Sequence, residues 1–359
     1  MKKIAGLLAG LMLSVACLAA NKQFDTMVIF GDSLSDNGNI YRYLWYYLPA
    51  SPPYFEGHFS NGPLWVEYLY GHYFPGDYQE GFQDYAVGGA GAVLSYKENL
   101  PFTLTFELDN YLYWHTYGRK ETTLYAIWIG GNNYINGPTN IEPLTDGVTA
   151  AIGNVIERLI GYGGNKFLIA NLPDLGSLPQ ARDNQTQQLL TDLTLAHNSK
   201  LAYQVEVLRA KYPEVTFIYF DTYRYFNEAI ASPGDYGLNN VSDPCYLGGY
   251  TGWLKAMLPD DDQLYQAMKE QHPDLTEQQW SMIKSNPQLH EAVVTGYVYA
   301  LFPEHAREEP LRCDDYLFWD RVHPTTFIHQ LLAEKAGELI DEAGLLAVMP
   351  DDSSGPGKG

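Results

Sequence analysis

Residues 26–39 read TMVIFGDSLSDNGN, a short hydrophobic run that stops at Gly31 and is followed at once by Asp32-Ser33-Leu34. A run of this length, closed by glycine, reads as a buried strand, and Gly31-Asp32-Ser33 as a turn able to open a helix. Ser33 therefore has two readings: a helix-capping hydroxyl, or a nucleophile carried at the carboxyl end of a strand. Similar runs recur downstream as DYAVGGA (84–90), TLYAIWIGG (123–131), NKFLIANL (165–172) and VTFIYFD (215–221). The segments between them carry helical spacing. Val148, Ile152, Val155, Ile156, Leu159 and Ile160 fall on one stripe, and a second stripe runs through the leucines of 189–208 with Val205. Near-continuous apolar strands alternating with helices predict an α/β fold with a parallel sheet covered on both faces. In such sheets ligands bind beyond the carboxyl ends of the strands, which is where Ser33 falls.

The ends of the chain set its compartment. MKKIAGLLAGLMLSVACLAA opens with two lysines, continues with an apolar run and closes on small residues. This pattern predicts a secretory signal peptide over residues 1–20. Cys17 offers the rival reading of an acylated lipoprotein, but Ser14 stands three positions before it, where such signals usually carry Leu. No later stretch reaches the roughly 18 apolar residues of a membrane span. Export leaves two cysteines, Cys245 and Cys313, and an even pair in an oxidising compartment most simply forms one disulfide. Two separate buried thiols are the alternative.

Charge narrows the partners. The chain carries 22 Lys+Arg against 43 Asp+Glu, a formal net of -21. Such a field repels nucleic acid and anionic membrane surfaces. Contact with lipid, expected to be transient, must then be apolar and aromatic, for which 29 Tyr and 7 Trp supply material.

The strand–helix rhythm stops after Asp221, and from about 232 to 312 Pro, Gly, Asp and Glu accumulate. The two cysteines bracket most of this region, so 246–312 reads as a tethered insertion, acidic and exposed, with short helices near 262–271 and 276–285. A last helix is expected from Thr325 to Ala343, burying Phe327, Leu331, Leu332, Ala336, Leu339 and Ile340. The main domain then covers 21–348, and the polar residues 349–359 are expected to be disordered.

Acyl transfer by a serine needs an imidazole to take its proton, an acceptor on the second ring nitrogen, and donors aimed at the developing oxyanion. YLFWDRVHPTT places Asp320 and His323 three residues apart before the last helix, with Pro324 to stiffen its start. Gly88-Gly89 closes one strand run, and Asn132 follows Gly130-Gly131 at the end of another. Each has a plain alternative: Gly-Gly as a tight backbone site, Asn132 as a turn residue, His323 as a cap, Asp320 as a partner of Arg321. All four segments in this order favour the nucleophile reading of Ser33. Asp25, Asp32 and Asp36 suggest a metal-dependent phosphatase, but no histidine or carboxylate accompanies them at ligand spacing, so no metal is expected.

These segments resemble the GDSL, or SGNH, family of serine hydrolases. Gly31-Asp32-Ser33-Leu34 matches its first block, Gly89 the glycine of its second with Gly88 as neighbour, Gly130-Gly131-Asn132-Asn133 its third and Asp320-Arg321-Val322-His323 its last. The resemblance implies a three-layer α/β/α sandwich with a mostly parallel, flavodoxin-like sheet. It also implies a Ser33–His323–Asp320 triad, an oxyanion hole from Ser33, Gly89 and Asn132, and no cofactor. Asp84 stands where many relatives have Asn, and Asn133 where they have Asp, which puts the hydrogen bonds behind Gly89 and Asn132 in question.

Longer stretches, FSNGPLWVEYL (59–69), YFNEAIASPGDYGLNNVSDPC (225–245) and CDDYLFWDRVHPT (313–325), resemble the lipolytic branch of secreted phospholipases A, lysophospholipases and glycerophospholipid–cholesterol acyltransferases. That branch implies a phospholipid or lysophospholipid substrate, cholesterol as a candidate acyl acceptor, and activation by proteolysis within 246–312. The aromatic run 41–48, just after the nucleophile turn, raises a further expectation, that some of Tyr43, Trp45, Tyr46 and Leu48 line an acyl groove; the alternative is that they are ordinary core and surface of the first helix. Other functions compete: a carbohydrate O-acetylesterase with a small acyl pocket or a general short-chain esterase of the same fold, and a secreted binding protein on an inactive hydrolase scaffold.

Overall fold

A computed structural model describes residues 22–76, 79–94, 102–118, 120–135, 140–247, 261–286, 290, 293 and 313–349. The expected signal peptide, Cys17, much of the 246–312 insertion and all but the first residue of the 349–359 tail lie outside the described residues.

Five strands form the central sheet: β1 (Thr26–Gly31), β2 (Phe82–Asp84), β3 (Thr123–Trp128), β4 (Lys166–Ala170) and β5 (Thr216–Phe220). All pairings are parallel, and the strand order is β2-β1-β3-β4-β5. This is the flavodoxin-like order, in which the chain reverses direction across the sheet between β1 and β3 and opens a crevice there. Gly31 pairs with Trp128, so the residues just beyond each emerge side by side at that crevice. Every residue of β3 and β4 is buried, which explains their apolar runs, interrupted only at the first residues Thr123 and Lys166.

The sheet is covered by α1 (Asn39–Tyr43), α2 (Trp65–Tyr73), α3 (Leu104–His115), α4 (Ile141–Gly161), α5 (Gln187–Lys211) and α6 (Thr222–Ala231). To these are added α7 (Asp261–Gln271), α8 (Glu277–Ser285) and α9 (Thr326–Glu342). The stripe on α4 is buried at Val148, Ile152, Val155, Ile156 and Leu159, with α5 packed against it. On α9 the buried line runs through Ile328, Leu332, Ala333, Ala336 and Ile340 against α2, while Phe327, Leu331 and Leu339 flank it, only partly buried.

Three differences from the sequence expectations have local causes. The expected strand 84–90 ends at Asp84. The N–H groups of Tyr85 and Val87 still donate to Ile29 and Gly31 of β1. On the other edge the Asn39 amide takes the carbonyls of Asp84 and Ala86, so the segment leaves the regular ladder. Helix α1 stops before most of the aromatic run, because Trp45 and Tyr46 adopt φ of 52° and 69°. Helix α3 escaped the periodicity because Phe106, Tyr113 and Trp114 lie on its exposed face and blur the apolar stripe.

The cysteines form a disulfide, with Cα atoms 5.9 Å apart, at the ends of a second, two-stranded parallel sheet of β6 (Asn240–Pro244) and β7 (Tyr316–Phe318). Beside it Tyr54, Tyr246, Cys313 and Trp319 form a small buried cluster separate from the main core. The helices of the insertion are not loosely exposed: Leu264, Met268, Leu275, Trp280 and Ile283 are buried in the main core. At the termini Gln23–Phe24 pairs with Leu346–Ala347.

Candidate active site

Ser33 lies two residues beyond β1, in a turn where the Ser35 and Asp36 N–H groups donate to the carbonyl of Asp32. Its Oγ is 2.7 Å from Nε2 of His323, a residue 290 positions away in the chain. Nδ1 of His323 sits 2.9 Å and 3.1 Å from the two carboxylate oxygens of Asp320. Ser33, His323 and Asp320 are 7%, 2% and 2% exposed, so the chain of contacts is shielded from water, while Ser33 and His323 line a pocket.

The sequence Trp319-Asp320-Arg321-Val322-His323 folds as a tight turn. The Trp319 N–H donates to the His323 carbonyl, and the Val322 and His323 N–H groups both donate to Asp320 Oδ1, at 2.7 Å and 2.8 Å. Oδ2 receives the Tyr54 hydroxyl at 2.7 Å. Burial pushes the Asp320 carboxyl up, but the imidazole beside it, its hydrogen bond and the two backbone donors outweigh burial and hold it below the ordinary Asp value. Arg321 turns away toward Asp183, so it does not compete for Asp320. Phe59 packs against the imidazole with ring centroids 5.1 Å apart.

On the other side of Ser33 the two glycines have separate reasons to be glycine. The Gly88 N–H is taken by Asp36 Oδ2 at 2.6 Å, and a side chain there would meet the Phe59 ring at 2.5 Å. Gly89 has φ of 80°, a conformation that favours glycine, and its N–H has no acceptor among the described residues. Gly89 therefore has a donor to offer, and Gly88 makes room for the ring behind His323. Asn132 opens a one-turn helix directly after β3; one of its amide hydrogens goes to the Ala90 carbonyl at 2.9 Å, leaving the other.

The two departures from the family pattern both make bonds. Asn133 accepts from the Ala92 N–H and donates to the Val93 carbonyl, both at 2.9 Å, a double role that an ionised aspartate could not fill. Asp84 accepts from Asn37 and Ala86 N–H groups at 3.0 Å and 2.8 Å. Asp36 gathers the N–H groups of Gly38, Asn39, Ile40 and Gly88. Asp32 accepts from Leu34 N–H, and burial, opposed by that bond and by the His323 charge, pushes it up to about 7. Asp25 takes the Thr26 hydroxyl. Among the described residues no three His, Cys, Asp or Glu side chains are grouped to hold a metal.

A narrow, largely apolar pocket opens beside Ser33 and His323, walled by Ile135, Leu172, Leu175, Phe226, Ile230 and Phe318. None of Tyr43, Trp45, Tyr46 and Leu48 lines it, which corrects the expectation of an acyl groove on the aromatic run. Trp45 and Tyr47 instead hold the insertion: the indole N–H reaches Asp274 at 3.3 Å, and the Tyr47 hydroxyl lies 3.0 Å from His272. Sequence reasoning missed Tyr54, Phe59 as a partner of His323, and the pocket walls. Phe59 sits in a quoted stretch, but nothing in its local pattern announces contact with residue 323.

The profile of the GDSL-like lipase/acylhydrolase family matches residues 27–336. A phosphatidylcholine-sterol acyltransferase of Aeromonas hydrophila is 33% identical over 351 residues, covering 95% of this chain and 98% of that protein. A thermolabile hemolysin of Vibrio parahaemolyticus is 26% identical over 87% of this chain, and the secreted effector SseJ of Salmonella typhimurium 25% over 86%. The chain spans 63% and 61% of the lengths of those last two.

Proposed function

The chain belongs to the GDSL-like lipase/acylhydrolase family and is an ester hydrolase or acyltransferase, and from that premise we propose that it is an exported phospholipase A or lysophospholipase able to pass its acyl group to cholesterol. One observation carries the reading: the candidate nucleophile, base and orienting carboxylate form an unbroken chain of contacts at 2.7 Å and 2.9 Å beside an apolar pocket.

His323 Nε2 takes the Ser33 proton as Oγ bonds to the ester carbonyl carbon. The carbonyl oxygen becomes an oxyanion facing the N–H groups of Ser33 and Gly89 and the free amide hydrogen of Asn132. Asp320 keeps Nδ1 protonated and stabilises the imidazolium. The bond to the alcohol oxygen then breaks, and that oxygen leaves with the proton from Nε2. In the second half, water or a sterol hydroxyl gives its proton to Nε2 as its oxygen bonds to the acyl carbon, and the bond from that carbon to Ser33 Oγ then breaks as Nε2 hands the proton back to Oγ. The acyl chain lies along Leu172, Leu175, Phe226 and Phe318.

In this reading the signal peptide is removed, the hydrolase unit covers about 21–348 with the loop between Cys245 and Cys313 inserted in it, and contact with the membrane surface is transient. The buried side chains of α7 and α8 direct the activating protease to the rest of 246–312. Among the described residues no helix is long and apolar enough to cross a membrane.

A fluorophosphonate should label the protein at Ser33. Ser33→Ala should abolish labelling and lower turnover by at least about 10,000-fold without changing the melting temperature. Labelled phosphatidylcholine, with and without cholesterol, should yield fatty acid and sterol ester. Cleavage of short acetyl esters alone would favour the carbohydrate esterase reading.

A further inference from the structure

A second small cavity lies beside the pocket at Ser33, between α6, β7 and α9. Ala229, Leu317, Ile328, Leu331 and Leu332 make its walls apolar. Among the described residues that line it only Lys335 is charged, and its Nζ is paired with Glu338 at 2.9 Å. Phe226, 6% exposed, is the one described residue that lines both cavities.

Helix and strand periodicity account for this arrangement. On α6, Tyr225 and Ala229 form one i, i+4 row along the second cavity, and Phe226 and Ile230 form the neighbouring row along the first. On β7, successive side chains point to opposite faces, Leu317 to the second cavity and Phe318 to the first. The wall between the cavities is therefore the Phe226 side chain together with the β7 backbone. That backbone is fixed: the Leu317 carbonyl accepts the Thr325 N–H and the Phe318 carbonyl the Cys245 N–H, both at 3.0 Å. The side chain is the movable part, because a helical phenylalanine has two common χ1 positions.

Each cavity is about 40 Å³. One water needs roughly 10–15 Å³ on that measure. The pocket at Ser33 thus has room for the first few carbons of an acyl chain. A longer chain left outside would keep its methylenes in water, and each one buried is worth about fourfold in kcat/KM.

We propose that a long acyl chain, once its carbonyl is at Ser33, displaces the Phe226 ring and ends in the second cavity, so that Phe226 sorts esters by chain length. The long chain comes from the lipolytic reading above, on which the proposal rests.

The test compares kcat/KM for p-nitrophenyl laurate and p-nitrophenyl butyrate in the full chain. Leu331→Trp fills the second cavity from a partly buried position that does not line the first. The laurate-to-butyrate ratio should then fall at least about tenfold, the loss of two or more buried methylenes. Phe226→Ala removes the partition and should raise the ratio at least about fourfold. Ala229→Leu narrows the same cavity from α6 and should act as Leu331→Trp does, which keeps the test open if the tryptophan does not fold. A second measurement locates the chain. In Leu331→Cys the introduced thiol should react with iodoacetamide several-fold more slowly after Ser33 is labelled with a dodecyl fluorophosphonate than after an ethyl one. Laurate cleavage with ratios within about twofold of wild type in the folded variants, or equal thiol reactivity after both labels, would overturn the proposal. Failure of the lipolytic reading looks different: the wild-type enzyme would cleave butyrate and not laurate, which removes the long chain and the proposal together.

Discussion

The two halves of the candidate site are held by different means. Ser33 and Asn132 follow β1 and β3, whose side chains are buried apart from Thr26, and the Asn132 amide holds the Ala90 carbonyl next to Gly89, so the central sheet itself fixes them. Asp320 and His323 sit on a turn outside that sheet, held by the disulfide, the β6–β7 pair and the Tyr54–Tyr246–Trp319 cluster. Tyr246, next to Cys245, stacks on Trp319 at 5.1 Å and meets Tyr54 at 5.7 Å, and Tyr54 donates to Asp320. A candidate nucleophile at the carboxyl end of an inner strand is positioned by the folding of the core. An acid–base pair on a turn needs cross-links of its own.

The largest expected effect separates the halves by stability. Replacing both Cys245 and Cys313 by Ser should lower the unfolding free energy by about 4 kcal/mol on the chain-entropy account of a 68-residue separation. It should also lower turnover, because the turn carrying His323 loosens; urea titration and steady-state rates on one preparation measure both. An unchanged rate would mean that the turn needs no tether. Next in size, Asn132→Ala on the sheet side should cost about 100- to 1000-fold in turnover with an unchanged melting temperature.

Tyr54→Phe removes a hydrogen bond to a buried charged group, worth about 1.5–3 kcal/mol. Turnover should fall by roughly tenfold or more, and the acid limb of the pH–rate profile should move to higher pH as the Asp320 carboxyl loses a donor. The smallest change per pH unit belongs to Asp32. Folding raises its pKa from 3.8 to about 7, so the folded state holds that proton more tightly than the unfolded chain. The stability it contributes is full below pH 4 and is lost as pH rises through 7, with a slope of about 1.4 kcal/mol per pH unit for one proton. Asp32→Asn should flatten that slope in urea midpoints measured between pH 4 and 7. The slope that remains belongs to Asp36, Asp84 and Glu107, which are raised in the same sense.

Legibility in the sequence followed the same division. Val28, Ile29 and Phe30 announce a buried strand by their run alone, and the buried stripe of α4 announces its helix, because both depend on near neighbours. Asp320 and His323 are three apart, so their pairing could be expected from spacing on one turn. The aromatic run 41–48 misled, since rings that pack against a distant insertion have the same composition as rings that line a groove.

By itself the sequence determined most of the central strands and the long helices α4, α5 and α9, the blocks that place the chain in its family, and an acidic balance that disfavours nucleic acid. Tertiary structure alone decided that Ser33 and His323 meet across 290 positions, that Gly89 has a donor to offer while Gly88 makes room for Phe59, and that Tyr54 completes the turn at Asp320. The reason is range: propensity and periodicity are written in neighbours a few residues apart, whereas these contacts exist only after strand order and the disulfide bring remote segments together.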